Sequence, residues 1–136
     1  MRKGFTLVEL LIVLAVIAAL MAVATPMALS AVRTAKASQV AQNLNALKSA
    51  AEQYVYSQRD LPSTITTLKD YMSKIPDGYK LTSDSTFTNG LANVKIGYTG
   101  GDVSFSDLSK QYSDVSTVTI DNTPYPGISV QVRKWW

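Results

Sequence analysis

Between Leu10 and Val32 the chain carries no charged side chain, and Thr25 and Ser30 hold the only side-chain hydroxyls in that stretch. As a helix rising about 1.5 Å per residue, a run of this length crosses a hydrocarbon layer of roughly 30 Å. Length therefore permits a membrane span. Arg2 and Lys3 precede the run, which favours a cytoplasmic N-terminus with the bulk of the chain translocated; Arg33 and Lys36 beyond it weaken that orientation slightly. The averages conceal this arrangement. Over 136 residues, 46% hydrophobic and 17% charged describe an ordinary small domain, whereas residues 33–136 alone are polar and rich in Ser and Thr.

The chain has no His and no Cys. It cannot build an imidazole base, a thiolate nucleophile, a disulfide or a Cys/His zinc site, which excludes most common catalytic designs. Arg2 and Lys3 also account for two units of the net charge of +3. The remainder is close to neutral, so bulk charge does not indicate a nucleic-acid partner.

Three readings compete for the apolar segment. It is a secretory signal cut at the small residues Ala22-Val23-Ala24, leaving Thr25 as the new N-terminus; or a plain signal anchor; or a segment for which Glu9 has a purpose. A charged carboxylate at a bilayer centre costs roughly 2.5 to 3.5 kcal/mol on insertion scales, and such residues usually have a partner. Glu9 lies near the edge of the run, where the cost is smaller. Either it snorkels to the headgroups, or it awaits a cation from another molecule.

Gly4-Phe5-Thr6-Leu7-Val8-Glu9-Leu10-Leu11-Ile12-Val13, preceded by Met1-Arg2-Lys3 and followed by Pro26, resembles the class III signal of bacterial type IV pilins and the related pseudopilins. The likeness is close over about the first 30 residues; beyond them only the layout is similar. It implies that an inner-membrane prepilin peptidase cuts after Gly4 on the cytoplasmic side and methylates the new amine of Phe5, removing the leader and keeping the helix. Methylation leaves that amine charged. In a staggered bundle Glu9 of one subunit then meets the Phe5 amine of its neighbour, and a pair of this kind in low dielectric sets register as well as attracting. Glu9 also lies near the positive end of its own helix, which favours its charged form.

Pro26 donates no backbone hydrogen bond and crowds the carbonyl of Ala22, so a kink or local opening is expected there. The family resemblance makes Pro26 a place where the helix bends or melts in a filament; a mild kink without function fits the sequence equally. Beyond it Val40, Leu44, Leu47, Ala51 and Tyr54 recur at steps of three and four, with Lys36, Asn43, Lys48 and Glu52 on other faces. One helix is predicted from about Thr6 to about Ser57, apolar all round in its first half and amphipathic in its second.

Asp60-Leu61-Pro62-Ser63 ends that helix. Ser63 or Thr64 is then placed to cap a short helix carrying Ile65, Leu68, Tyr71 and Met72, stopped near Ile75-Pro76-Asp77-Gly78. From Tyr79 the period becomes two. Val94, Ile96 and Tyr98 form one strand; Gly100-Gly101 supplies a hairpin turn into a second at Val103 and Phe105; Val118 with Ile120, and Ile128, Val130 and Val132, give two more. The segment Asp121 to Gly127 between the last two is expected as turn or loop. The predicted fold is α+β, a pilin-like arrangement of one long helix against an antiparallel sheet of about four strands. Its expected parts are a leader at 1–4, an apolar assembly helix at 5–32 and a globular domain at 33–136. Within that domain the helix continues to about 57, a loop and short helix occupy 58–78, and the sheet occupies 79–136.

Asp102, Asp107, Asp114 and Asp121 are weak candidates for a calcium site, because hard cations want several oxygen ligands. Their spacing fits no compact loop. Major pseudopilins do use a C-terminal calcium site, whereas solvated loop carboxylates explain the four residues without a metal. Many relatives close a C-terminal loop with a disulfide, and this chain departs from that pattern. Trp135 and Trp136 follow Arg133-Lys134. They offer either an aromatic contact to a ligand, a partner subunit or DNA, or one ring covering the sheet edge and one exposed.

The resemblance implies a structural role with no cofactor and no catalysis: a subunit resting in inner-membrane lipid, then polymerising through its helix into an extracellular filament serving adhesion, motility or DNA uptake. The implied partners are copies of itself in a helical homopolymer, the peptidase and an inner-membrane assembly platform. A pseudopilin of type II secretion is the near alternative. An exported soluble domain cut after Ala24 is the distant one.

Overall fold

The computed structural model describes Gly4 and residues 6–136. Its contacts divide into two units, Met1–Thr34 and Ala35–Trp136.

Helix α1, Leu7–Gln58, has 52 residues with Pro26 inside it. No glycine interrupts it, and its commonest residues are Ala, Leu, Val, Ser and Gln, of which all but Val and Ser are strong helix formers. The reason it ends is local. Arg59 takes a left-handed φ of 59° while its amide still donates to the carbonyl of Val55 at 2.9 Å, an αL stop made without glycine. Pro62, three residues on, prevents any resumption.

Within Ala35–Trp136, α1 buries Ala37, Val40, Ala41, Leu44, Leu47, Ala50, Ala51 and Val55, the face that the three-and-four spacing predicts, with Tyr54 packed at its margin. These residues share one core with a four-stranded antiparallel sheet: β1 Tyr79–Ser83, β2 Leu91–Tyr98, β3 Ser116–Ile120 and β4 Thr123–Arg133, in the order β1-β2-β4-β3. Alternation along the strands decides what faces the helix. Tyr79 and Leu81, Ala92, Val94 and Ile96, and Ile128, Val130 and Val132 all enter that core.

The architecture is thus the α+β pilin-like one expected, with three local corrections. The stretch around Val103 and Phe105 is not a strand. Phe105–Gln111 is a short helix, α2, because the Ser104 hydroxyl accepts from the amide of Asp107 at 3.2 Å and fixes a helix start. Leu108, not Phe105, is the residue it buries, so Gly100-Gly101 leads from strand to helix rather than turning a hairpin. The short helix expected after Pro62 is a single 3-10 turn, Ile65–Leu68, and the Thr64 side chain does not cap it; its hydroxyl meets that of Thr66 at 2.8 Å instead.

The third correction concerns Asp121 to Gly127. Only Asp121 and Asn122 form the turn, both at positive φ (53° and 62°), the backbone that a two-residue hairpin with the native twist requires. Strand β4 starts at once and changes partner along its length: Thr123 to Gly127 pair with β3, and Gly127 to Arg133 pair with β2. Pro124 and Pro126 are two residues apart, so both missing N–H groups fall on one side of the strand, the side without a neighbour. At the changeover Gly127 pairs with both Gly97 and Ser116. A Cβ on Gly127 would collide with the carbonyl oxygen of Ile96 and lie 2.8 Å from the Cα of Gly97.

The β3–β4 hairpin consequently closes over Gly97. A Cβ there would meet Tyr125, Ile120 and Val118 at 3.0 to 3.2 Å. Val118 and Ile120 are buried yet stand apart from the helix-side core, so they form a small second cluster on the other face of the sheet. Lys80 borders it, with its ammonium 3.6 Å from Asp121 and 5.9 Å from the centre of the Tyr125 ring.

Candidate functional site

The start of α1 is a reciprocal pair of hydrogen bonds. The Thr6 amide donates to Oε2 of Glu9 at 3.2 Å, and the Glu9 amide donates to Oγ1 of Thr6 at 3.2 Å. This is a capping box: Thr6 satisfies an amide of the first turn, and Glu9, three residues on, reaches back to the residue before the helix. The carboxylate also lies where the helix presents unpaired N–H groups, an electrostatically favourable place for a negative charge. Sequence reasoning singled out Glu9 but missed Thr6, although Thr-x-x-Glu before an apolar run is a recognisable start signal.

From Leu7 to Val32 every large apolar side chain is exposed. Even Ile17, the least so, keeps 47% of its surface open, so no side of this stretch is an interior. It is long and apolar enough to cross a membrane. Pro26 lies inside the helix, which passes through it without interruption. Gly4 is exposed, and a Cβ placed on it would meet nothing within 4 Å beyond its chain neighbours. The expected leader residues 1–3, and Phe5 with its cleavage, methylation and pairing roles, lie outside the described residues.

The four weak calcium candidates are dispersed. Asp102 sits between β2 and α2 under the Tyr98 hydroxyl, with its other oxygen 3.5 Å from Lys36. Asp107 is in the first turn of α2 and accepts from Ser104 at 2.9 Å; Asp114 follows α2; Asp121 is in the β3–β4 turn beside Lys80. Among the described residues no three acidic side chains gather around one point.

Asp102 belongs instead to a polar chain that ties α1 to the sheet. Tyr98 donates to Asp102, the Tyr79 and Tyr98 rings lie 5.2 Å apart, and Asn43 donates to the Tyr79 hydroxyl at 3.1 Å. A cavity of about 150 Å³ lies among Lys36, Asn43, Tyr79 and Tyr98. Burial, and then the neighbouring carboxylate, pushes the Tyr98 hydroxyl up to about 12. Burial likewise raises Tyr79, while the Tyr98 hydrogen bond, more than Lys36, holds the Asp102 carboxyl below its usual range. Sequence spacing gave no sign of this chain, because its members come from α1, β1, β2 and a loop.

At the C-terminus Trp136 packs edge-on against Phe87 at 5.3 Å and joins the core margin, whereas Trp135 is 59% exposed. The Arg59 guanidinium lies 5.2 Å over the Trp135 ring, and the Lys134 ammonium 5.8 Å over that of Trp136. The arrangement is one ring packed and one exposed.

Residues 1–25 match the prokaryotic N-terminal methylation motif. The chain carries a class III signal. This is the signal of type IV pilin and pseudopilin precursors, and it spans Gly4, Phe5, Thr6 and Glu9 together with most of the uncovered helix. No curated protein and no solved structure matches the chain. The pilin-type signal and the pilin-like fold point to a structural protein made as a precursor, and the exposed apolar helix is compatible with anchoring in the inner membrane before assembly.

Proposed function

We propose that the protein is a structural subunit of a type IV pilus. A prepilin peptidase removes residues 1–4 and methylates Phe5; the subunit waits in the inner membrane with its N-terminus cytoplasmic and its α+β domain outside; an assembly platform then passes it into an extracellular filament. The observation that carries this reading is the helix from Leu7 to Val32, apolar and exposed on all sides, in a chain whose other large apolar side chains, apart from Tyr56, Phe105 and Trp135, lie in or against a core. Such a surface needs lipid or other copies of itself. Glu9 at its head supplies a charge to be matched, and the amine of a neighbour's Phe5 is the cation that processing creates. Pro26 is the point at which the helix bends or opens when lipid is exchanged for protein.

The mass and N-terminal sequence of the mature protein test the processing step. N-methyl-Phe5 is expected; a mature chain beginning at Thr25 would overturn the whole reading. Electron micrographs of cells with and without the gene test the filament. Loss of surface pili in its absence supports a pilus subunit, and unchanged pili with loss of protein secretion overturns it in favour of a pseudopilin. Filaments of this kind serve adhesion, motility or DNA uptake, and attachment, spreading and transformation assays on the same deletion distinguish these roles.

A further inference from the structure

We infer that Thr6 is a positioning residue for Glu9: its hydroxyl fixes the start of α1, and its amide then holds one carboxylate oxygen of Glu9 at the head of the helix, facing the end from which a neighbour's amine arrives. The inference rests on the assembly role proposed above for Glu9.

A glutamate has three rotatable side-chain bonds, and on an exposed apolar helix nothing but its own backbone can restrict them. Here two hydrogen bonds of 3.2 Å do so. Because Oγ1 of Thr6 accepts from the Glu9 amide, the helix begins at Leu7, and the Thr6 amide, outside the helix ladder, is turned back toward the carboxylate. Oε2 takes that amide. A carboxylate accepts about four hydrogen bonds in all, so the capped Glu9 keeps capacity for an ammonium group. Capping and pairing are compatible, and the cap sets in advance the geometry that pairing needs. Ordering the carboxylate before the neighbour arrives removes an entropic cost from each subunit addition.

The helix up to Val32 offers no other polar side chain than Thr6, Glu9, Thr25 and Ser30, and Glu9 is its only charge. An error in the position of this one carboxylate therefore has no second ion pair to correct it. A valine at position 6 keeps the β-branched shape and the amide but loses the cap acceptor; a serine keeps the acceptor; a glutamine at position 9 keeps the capping box but loses the charge.

The test compares full-length Thr6→Val, Thr6→Ser and Glu9→Gln with the parent in cells carrying the assembly machinery. Sheared filament is measured against processed subunit in the membrane, and the mass of the processed subunit reports leader removal and methylation. With processing intact, Thr6→Val is expected to lower filament yield about fivefold or more, the factor that corresponds to a lost cap, and Thr6→Ser to restore it. Amide exchange of the first turn in detergent should quicken in Thr6→Val and not in Glu9→Gln. Parental yield from Thr6→Val, or equal loss in Thr6→Val and Thr6→Ser, overturns the inference while leaving the role of Glu9 standing. Normal filaments from Glu9→Gln overturn that role itself.

Discussion

The hydroxyl of Tyr98 donates to the carboxylate of Asp102, so the segment leaving β2 is tied back to the strand it has just left. Lys36 of α1 approaches the other oxygen of the same carboxylate at 3.5 Å. One short loop thereby holds the sheet to the first turns of the covered part of the helix.

This tie should give two pH limits to stability. The Asp102 carboxyl titrates below its ordinary 3.8, so its contribution is complete above that value and is lost as pH falls through the lower folded-state one. Tyr98 is raised from 10.0 to about 12; its contribution is complete below 10 and is lost as pH rises toward 12. Thermal unfolding of the full chain in detergent, followed by near-ultraviolet circular dichroism, should show both limbs. Asp102→Asn should flatten the acid limb, and Tyr98→Phe the alkaline one.

Leu44 is fully buried and Leu14 is 52% exposed, on the same helix. Leu44→Ala should destabilise the domain by about 2 to 5 kcal/mol, the cost of a core cavity. Leu14→Ala should leave it within about 0.5 kcal/mol of the parent. Chemical denaturation monitored by tryptophan fluorescence measures both, and equal effects would refute the division of the helix into covered and uncovered parts.

Gly127→Ala should be the most damaging single-methyl addition in the sheet, at about 3 kcal/mol or more, because the methyl group meets backbone that cannot move aside. Gly97→Ala meets side chains of Tyr125, Ile120 and Val118 that can yield, and should cost about 1 to 3 kcal/mol. Comparing the denaturation midpoints of the two variants tests the order.

Arg59 combines a left-handed backbone with a guanidinium stacked on Trp135. Arg59→Ala keeps the backbone strain and loses the stacking, and should cost about 1 kcal/mol. Arg59→Gly loses the stacking but relieves the strain, and should be within about 0.5 kcal/mol of neutral. The same denaturation assay reads both, and in each variant acrylamide should quench Trp135 more readily.

The long helix and its buried face were legible because Val40, Leu44, Leu47 and Ala51 repeat at the helical period over several turns, where a pattern accumulates. Phe105–Gln111 was misread because two apolar residues spaced by one, Val103 and Phe105, imitate a strand, and the deciding signal was the serine cap at Ser104. The first half of β4 was misread because prolines normally exclude a central strand; only the change of partner at Gly127 makes that half an edge. At the candidate site Glu9 was legible as a lone charge in an apolar run. Thr6 was legible in principle, as half of a capping box. The Asn43, Tyr79, Tyr98 and Asp102 chain was not, since it depends on which strand lies beside which helix turn, and no local pattern records that.

The apolar helix from Leu7 to Val32 has one further property: it lacks a preferred face. A rod that is equally greasy in every direction can spin about its axis in lipid at little cost, and it can touch several neighbours at once without favouring any of them. Beyond Glu9, such a rod carries little azimuthal information. Position along the axis is then encoded at its capped end, and rotational orientation has to come from the folded domain that follows it.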